Sequence, residues 1–89
     1  MTGNQIEFFD DIYRKYYKMM YDVALRIVKN PEIAEDVVAD TFLVLITKIN
    51  AVIEHEQPVK WLFRVLKNNA LNERRAQSNH SAVPLDEYL

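Results

Sequence analysis

The side chains of this chain that could do chemistry form an acidic group and a basic group on two different segments. The acidic group, Glu35, Asp36 and Asp40, lies within residues 31–49, and the basic group lies within residues 58–77. Neither group pairs a nucleophile with a base, as catalysis would require, and the chain has only 1 Gly, too few for a glycine-rich phosphate loop. We therefore predict a protein that works by binding and is not an enzyme.

The residue types also bear on metal binding. The chain has no Cys, which excludes disulfides and cysteine-ligated zinc. His55 lies between Glu54 and Glu56, but no second His or carboxylate has helical ligand spacing to them, and His80 lies apart in a polar tail. We predict no metal and no cofactor.

Charge is distributed unevenly over the 89 residues, whose net charge is −2. Residues 1–57 carry six Lys or Arg and ten Asp or Glu, whereas residues 58–77 carry five Lys or Arg and one Glu. The overall charge argues against non-specific coating of nucleic acid, but the local charge allows one basic helix to meet phosphates. With 49% hydrophobic residues, a chain of this length is expected to fold as one small domain.

No part of the sequence has the character of a membrane span or a signal peptide. The longest apolar run, residues 42–46, is far shorter than the roughly 20 residues needed to cross a bilayer. The N-terminus lacks the basic-then-apolar order of a signal peptide. We therefore expect a cytoplasmic protein without membrane insertion.

Residues 31–49 are predicted to form a helix that presents the acidic group to solvent. Asn30 can cap this helix, and Pro31 suits the first helical position, where no backbone donor is needed. The residues that recur at spacings of three and four, and should face the core, are Ala34, Val38, Thr41, Leu45 and Ile49. Val37 and Phe42 lie beside the acidic group, and we expect a three-helix core not to cover them fully.

A first helix is predicted over residues 5–29. Its apolar side chains alternate at spacings of three and four: Ile6, Phe9, Tyr13, Tyr16, Met20, Val23 and Ile27. Its many aromatic rings could stack on bases, but at this spacing most of them are expected in the core. Because Asn30 precedes a proline, the helix should stop there, and the short connection should make the first two helices antiparallel neighbours.

A third helix is predicted from Pro58 to about residue 77. Its buried stripe is expected to contain Leu62, Val65 and Leu66, with Val59 and Ala70 as further candidates. Its other side carries Lys60, Arg64, Lys67, Asn68, Asn72 and Arg75. Cations can follow the phosphates of melted DNA while Asn side chains meet base edges, but an ordinary solvated helix face explains the same pattern without a ligand.

Residues 50–57 are predicted to be a loop, with a helical continuation through residues 51–53 as the alternative. From residue 78 the sequence is polar, and we predict irregular structure to residue 89.

The acidic segment resembles a motif of a known family. AEDVVADTFLVL, residues 34–45, is similar to the A-E-D-L-V-Q-E-T-F-L segment of extracytoplasmic-function (ECF) sigma factors of bacterial RNA polymerase, within the sigma-70 family. In that family the segment docks on the clamp coiled coil of the largest polymerase subunit. The resemblance implies polymerase-binding roles for Glu35, Asp36, Asp40 and Phe42. Ala39 replaces a usual Gln, which removes one expected polar contact.

The basic segment resembles the same family. WLFRVLKNNALNERR, residues 61–75, is similar to W-L-y-r-I-A-r-N-l-a-i-D-y-l-R, with Leu66 in place of Ala and Asn72 in place of Asp. The family uses this helix on the promoter −10 element and uses the preceding loop, here residues 50–57, to capture a flipped base. The implied DNA-binding residues are Asn50, Glu54, His55, Lys60, Arg64, Lys67, Asn68, Asn72 and Arg75. Trp61 is expected to anchor the helix rather than to wedge between bases.

The resemblance implies a small all-α bundle of three to four helices. Residues 1–77 would form a sigma region 2-like domain, and residues 78–89, where SAVPLDEYL resembles V-P-L-D-E, would begin the linker to a region 4 domain that this sequence does not include. The implied function is to bind RNA polymerase core and to recognise and melt the −10 element, with an anti-sigma factor as a further partner. The alternative is a helical protein-interaction module that makes no nucleic-acid contact.

Overall fold

Local sequence signals determine where the helices begin and end. The computed structural model describes the backbone of residues 1–86 and the side chains of residues 1–77. Four helices follow one another: α1 (Gly3–Val28), α2 (Pro31–Thr47), α3 (Ile49–Val52) and α4 (Pro58–Asp86). Within the described backbone there is no strand, so the predicted all-α fold is confirmed.

The junction between α1 and α2 is built from three consecutive residues. Lys29 adopts a left-handed conformation (φ 55°) that ends α1, and its N–H donates to the carbonyl oxygen of Leu25. Asn30 is extended, as a residue before proline prefers, and its Oδ1 accepts from the backbone N–H groups of Glu32 and Ile33 over 3.0 and 3.2 Å. The chain therefore reverses within two residues, and α1 and α2 lie side by side.

The long helices α1, α2 and α4 pack against one another around a single core. The stripe predicted for the second helix is buried throughout, with its last residue, Ile49, on α3. On α4 the three residues Leu62, Leu66 and Ala70 have no exposed surface. On α1 the core positions follow a spacing of four from Ile12 through Met20 and Ala24 to Val28.

Several side chains differ in burial from what the sequence predicted. Ile6 and Tyr13 of α1 are exposed: the buried face of α1 passes through Ile12, and Tyr13 lies at its edge with its ring against Phe42 of α2. Val37 and Phe42, expected to be incompletely covered, are buried because α1 packs over that side of α2. Burial on α2 therefore extends beyond the stripe seen in its sequence.

Two helix ends also differ from the predictions. The second helix ends at Thr47, and after Lys48 the short α3 takes part of the helical continuation considered for residues 51–53. The third predicted helix, α4, starts at Pro58 as expected but runs to Asp86 instead of residue 77. Polar residues do not by themselves break a helix, and the one proline of this stretch comes only at Pro84.

The predicted linker over residues 78–89 is thus helical in its backbone as far as Asp86, and residues 87–89 lie outside the described residues. None of the described helices is long and apolar enough to cross a membrane.

Candidate functional site

The acidic residues of α2 form one exposed surface. Glu35, Asp36 and Asp40 are all exposed, whereas Val37 and Val38 between them turn toward the core. In the described part of the chain the ion pairs are Asp10–Arg14 and Asp11–Lys15, both on α1, so none involves these three carboxylates. We call them the acidic surface, and their charge is available to a basic partner.

A cluster of aromatic rings supports this surface from behind. The ring of Phe42 lies 4.9 Å from that of Tyr13, 5.6 Å from that of Phe9 and 6.4 Å from that of Tyr17, measured between centroids. Phe42 is only 5% exposed, so it positions the surface and offers little of its own ring to a partner. Burial raises the pKa of the Tyr17 phenol, and nearby Tyr13 and Glu35 add to the shift.

Beside the acidic surface lies a groove that the sequence analysis did not identify. Its wall on α1 is Tyr13 and Tyr17, and its wall on α2 runs past Ala39 to Leu43, with Glu35 and Asp36 at its edge. Leu43 is 60% exposed, the largest exposed fraction of any large apolar side chain in the described residues. We call this the α2 groove. A leucine outside the buried stripe was the available sequence signal.

The basic and amide side chains predicted on the third helix form a second surface. They lie on the side of α4 opposite its buried residues, and all of them are exposed: Lys60, Arg64, Lys67, Asn68, Asn72 and Arg75. Among the described residues none of the four cations is held in an ion pair. This is the basic surface, and its charges are available to phosphates.

The basic surface borders a second groove with an apolar floor. Phe63 and Leu71 line it together with Lys60, Arg64 and Lys67. Phe63 is half-buried, with its ring edge-on to Tyr16 at 6.2 Å, and Leu71 is 40% exposed. We call this the α4 groove. Sequence reasoning missed both apolar residues, although an exposed leucine among cations was visible in the pattern.

The turn before α4 brings one of the predicted loop residues to the basic surface. Nδ1 of His55 accepts a hydrogen bond from the backbone N–H of Gln57 over 2.9 Å, which leaves the proton of the neutral ring on Nε2. His55 and Gln57 line a depression of about 90 Å³ together with Lys60, Trp61 and Arg64. Trp61 is half-buried and packs against the core, as expected of an anchor.

The other two predicted loop residues lie apart from this depression. Asn50 is on α3, and its Oδ1 accepts from Nε2 of Gln5, whose own backbone N–H and Oε1 form the capping box of α1 with Thr2. Glu54 is exposed in the turn that follows α3. The structure therefore joins His55, but not Asn50 or Glu54, to the basic surface. The described residues include no cluster of three metal-ligating side chains.

Comparison with known proteins adds a family to this geometry. The model of the family described as sigma-70 region 2 matches residues 12–80. No curated protein and no solved structure matches the chain. The matched range begins in α1 and includes all of α2 and α3 and most of α4, so it contains both surfaces.

Proposed function

Because this chain belongs to the sigma-70 region 2 family, whose domains bind RNA polymerase core and promoter DNA, we propose that it serves an ECF-type sigma factor in transcription initiation. In this proposal residues 1–77 form the working domain, and the chain that follows leads toward a second DNA-binding domain. The proposal is carried by one observation: two surfaces of opposite charge lie on adjacent helices that share one core.

Core binding is assigned to α2. Three unpaired carboxylates favour a basic partner, and the α2 groove beside them supplies apolar contact for a helical partner such as the polymerase clamp coiled coil. Apolar burial at the centre of a protein interface gives most of its affinity, while charge at the rim guides orientation and association. Leu43 is the apolar anchor in this proposal, and Phe42 is its support.

Promoter DNA is assigned to α4. Its cations can follow the phosphates of the melted strand, and Asn68 and Asn72 can meet base edges. Phe63 and Leu71 provide an apolar floor on which unstacked bases and sugars can lie. A duplex keeps its bases stacked inside, so it gains little from that floor, and the surface favours the unpaired strand.

The turn before α4 is assigned to base capture. The polar side chains around the depression are mostly donors, since His55 offers its Nε2–H and Lys60 and Arg64 are cations. The acceptor among them is the oxygen of the Gln57 amide. A base held there would offset the few kcal/mol lost when it leaves the stack. Asn50 and Glu54 lie apart from the depression and are not assigned to this step. An anti-sigma factor would compete for the same exposed surfaces.

The function is tested by reversing charge on α2. The double variant Asp36→Lys and Asp40→Lys should fail to bind RNA polymerase core and to direct transcription, because two attractive charges become repulsive. Both residues are exposed, so the helical circular dichroism should be unchanged. Binding is measured by titrating labelled chain with polymerase core, and promoter use by transcription from a library randomised at the −10 element.

A control with the same charge change on another helix is available. Asp10→Lys and Asp11→Lys alters two exposed or half-buried carboxylates on α1, which lie outside the acidic surface. This control should bind core like the unmodified chain. Equal loss of binding in both double variants would show a general charge effect, and undiminished binding by the folded α2 variant would refute the assignment.

A further inference from the structure

One polar contact joins α2 to α4 within an otherwise apolar core. Asn69 donates from Nδ2 to Oγ1 of Thr41 over 3.1 Å, and Thr41 Oγ1 donates to the carbonyl oxygen of Val37 over 2.7 Å. Thr41 has no exposed surface and is the one buried polar residue among those described. Its hydroxyl therefore both donates and accepts, and no buried polar side-chain atom in the described residues lacks a partner.

The contact lies between the two proposed binding surfaces. Thr41 follows Asp40 of the acidic surface directly, and Asn69 follows Asn68 of the basic surface directly. Neighbouring residues of a helix point about 100° apart, so one residue can face the core while the next faces a partner. The backbone that fixes the buried residue therefore also fixes its exposed neighbour. A shift of Asn69 relative to Thr41 would thus move the basic surface relative to the acidic one.

The hydrogen bond between Asn69 and Thr41 depends on the relative orientation of α2 and α4, which the apolar contacts of this interface do not specify. Leu45, Leu62 and Leu66 have no exposed surface, but apolar burial is non-directional and tolerates small rotations of one helix on another. A hydrogen bond weakens steeply when its angle is lost, and a buried polar residue can fix the register of packed helices. The Thr41–Asn69 contact therefore distinguishes one orientation of α4 from its neighbours.

We propose that Thr41 and Asn69 are positioning residues that set the orientation of α4 on α2. When the acidic surface is bound to polymerase, this contact determines where the basic surface and the α4 groove meet the promoter strand. The inference rests on the proposed function. Neither residue contacts the polymerase or the DNA in this scheme, since Thr41 is buried and Asn69 is half-buried against α2.

Two substitutions at Thr41 distinguish an effect on the orientation of α4 from an effect on the stability of the fold. Thr41→Val keeps the shape and removes the hydroxyl, whereas Thr41→Ser keeps the hydroxyl and removes a buried methyl group. We expect Thr41→Val to bind polymerase core normally and to open the promoter about fivefold less well, the equivalent of one ordinary hydrogen bond. Thr41→Ser should lower the urea midpoint of unfolding but open the promoter normally where it is folded.

Asn69→Leu tests the same contact from α4, at its half-buried end, where a change is less disruptive to folding. It should reduce opening as much as Thr41→Val does, and the double variant should be no worse than either single one, because both remove the same bond. The measurements use the full chain with polymerase core: core affinity by titration, opening on the promoter that the unmodified chain prefers, and folded fraction by circular dichroism.

The results distinguish this inference from the function on which it rests. If promoter opening follows folded fraction across all four variants, or if the single effects add in the double variant, the contact only stabilises and the proposal is wrong. If the unmodified chain neither binds core nor opens a promoter, the proposed function itself fails, and the positioning role with it. Equal, non-additive losses of opening at unchanged core affinity would support both.

Discussion

Two neighbouring residues of α2 have different parts in the proposed binding of polymerase: Phe42 supports the surface from behind, and Leu43 is its apolar contact. Phe42 is 5% exposed and Leu43 is 60% exposed. We predict that Leu43→Ala weakens binding to polymerase core and leaves stability almost unchanged. Phe42→Leu should do the reverse, lowering stability while the folded protein still binds core.

The cost in stability follows from the surroundings of each side chain. Phe42 has its two nearest aromatic neighbours, Tyr13 and Phe9, at 4.9 and 5.6 Å between centroids. At about 0.5–1.5 kcal/mol for each aromatic pair, Phe42→Leu should lower the free energy of unfolding by about 1–3 kcal/mol. A domain of this length has roughly 4–13 kcal/mol in total, so the variant should remain folded. Leu43→Ala, at an exposed site, should change the free energy by less than about 0.5 kcal/mol.

The cost in binding follows from the apolar surface that remains to be covered. Fully burying a leucine side chain is worth about 1.5–3 kcal/mol, and somewhat more than half of Leu43 is still exposed in the free chain. Its burial against polymerase should therefore contribute about 1–2 kcal/mol. Leu43→Ala should raise the dissociation constant for core by about 5- to 30-fold.

The assay combines urea unfolding followed by circular dichroism with titration of polymerase core by labelled chain. Met19→Ala is a suitable control, since Met19 is 54% exposed on α1 and does not line the α2 groove, and it should change neither quantity. Unchanged core binding by Leu43→Ala, together with weaker binding by fully folded Phe42→Leu, would show that the contact lies elsewhere on α2.

Three further predictions concern the DNA-binding side and the helix junction. Lys67→Ala should weaken promoter use by a similar factor for every −10 variant, because a phosphate contact carries no base information. Exchanging residues 50–57 for another family member's loop should instead change the preferred base, as a randomised promoter library will report. The chain alone should bind random duplex DNA no more tightly than about 10⁻⁶ M at physiological salt, measured by fluorescence anisotropy, and sub-micromolar binding would contradict the assignment of α4 to the unpaired strand. Asn30→Ala should lower the free energy of unfolding by about 1 kcal/mol, since Asn30 accepts from two backbone N–H groups, while Asn30→Asp should keep most of it in urea denaturation.

The sequence predicted those parts of the fold that depend on local chemistry. Asn30 and Pro31 locate the start of α2 because the cap and the missing donor act within one turn. Pro58 locates the start of α4 in the same way. The buried stripe of α2 was also predictable, since its apolar spacing matches a helix that is covered along its whole length.

Features that depend on the packing of distant segments were not predictable. A stripe shows which face of α2 is buried but not how wide the burial is, and that width depends on the rings of α1 that cover Phe42. For the same reason, the sequence did not predict that Tyr13 and Leu43 are exposed. The contact of Asn69 with Thr41 joins residues 28 positions apart, so no local pattern indicates it.

In the proposed function, the opposite charges on α2 and α4 also determine which partner each helix attracts. Glu35, Asp36 and Asp40 repel DNA phosphates, so in the proposed function we expect a DNA strand to gain affinity only on the side of α4. Lys60, Arg64 and Lys67 repel a basic protein helix, so we expect such a partner to gain affinity only on the side of α2. Screening limits each repulsion to about 8 Å at physiological salt, so it acts on a partner that is already close to the surface. If the proposed assignments are correct, each surface therefore disfavours the partner of the other, and a chain with a net charge of only −2 is expected to bind a protein and a nucleic acid at the same time.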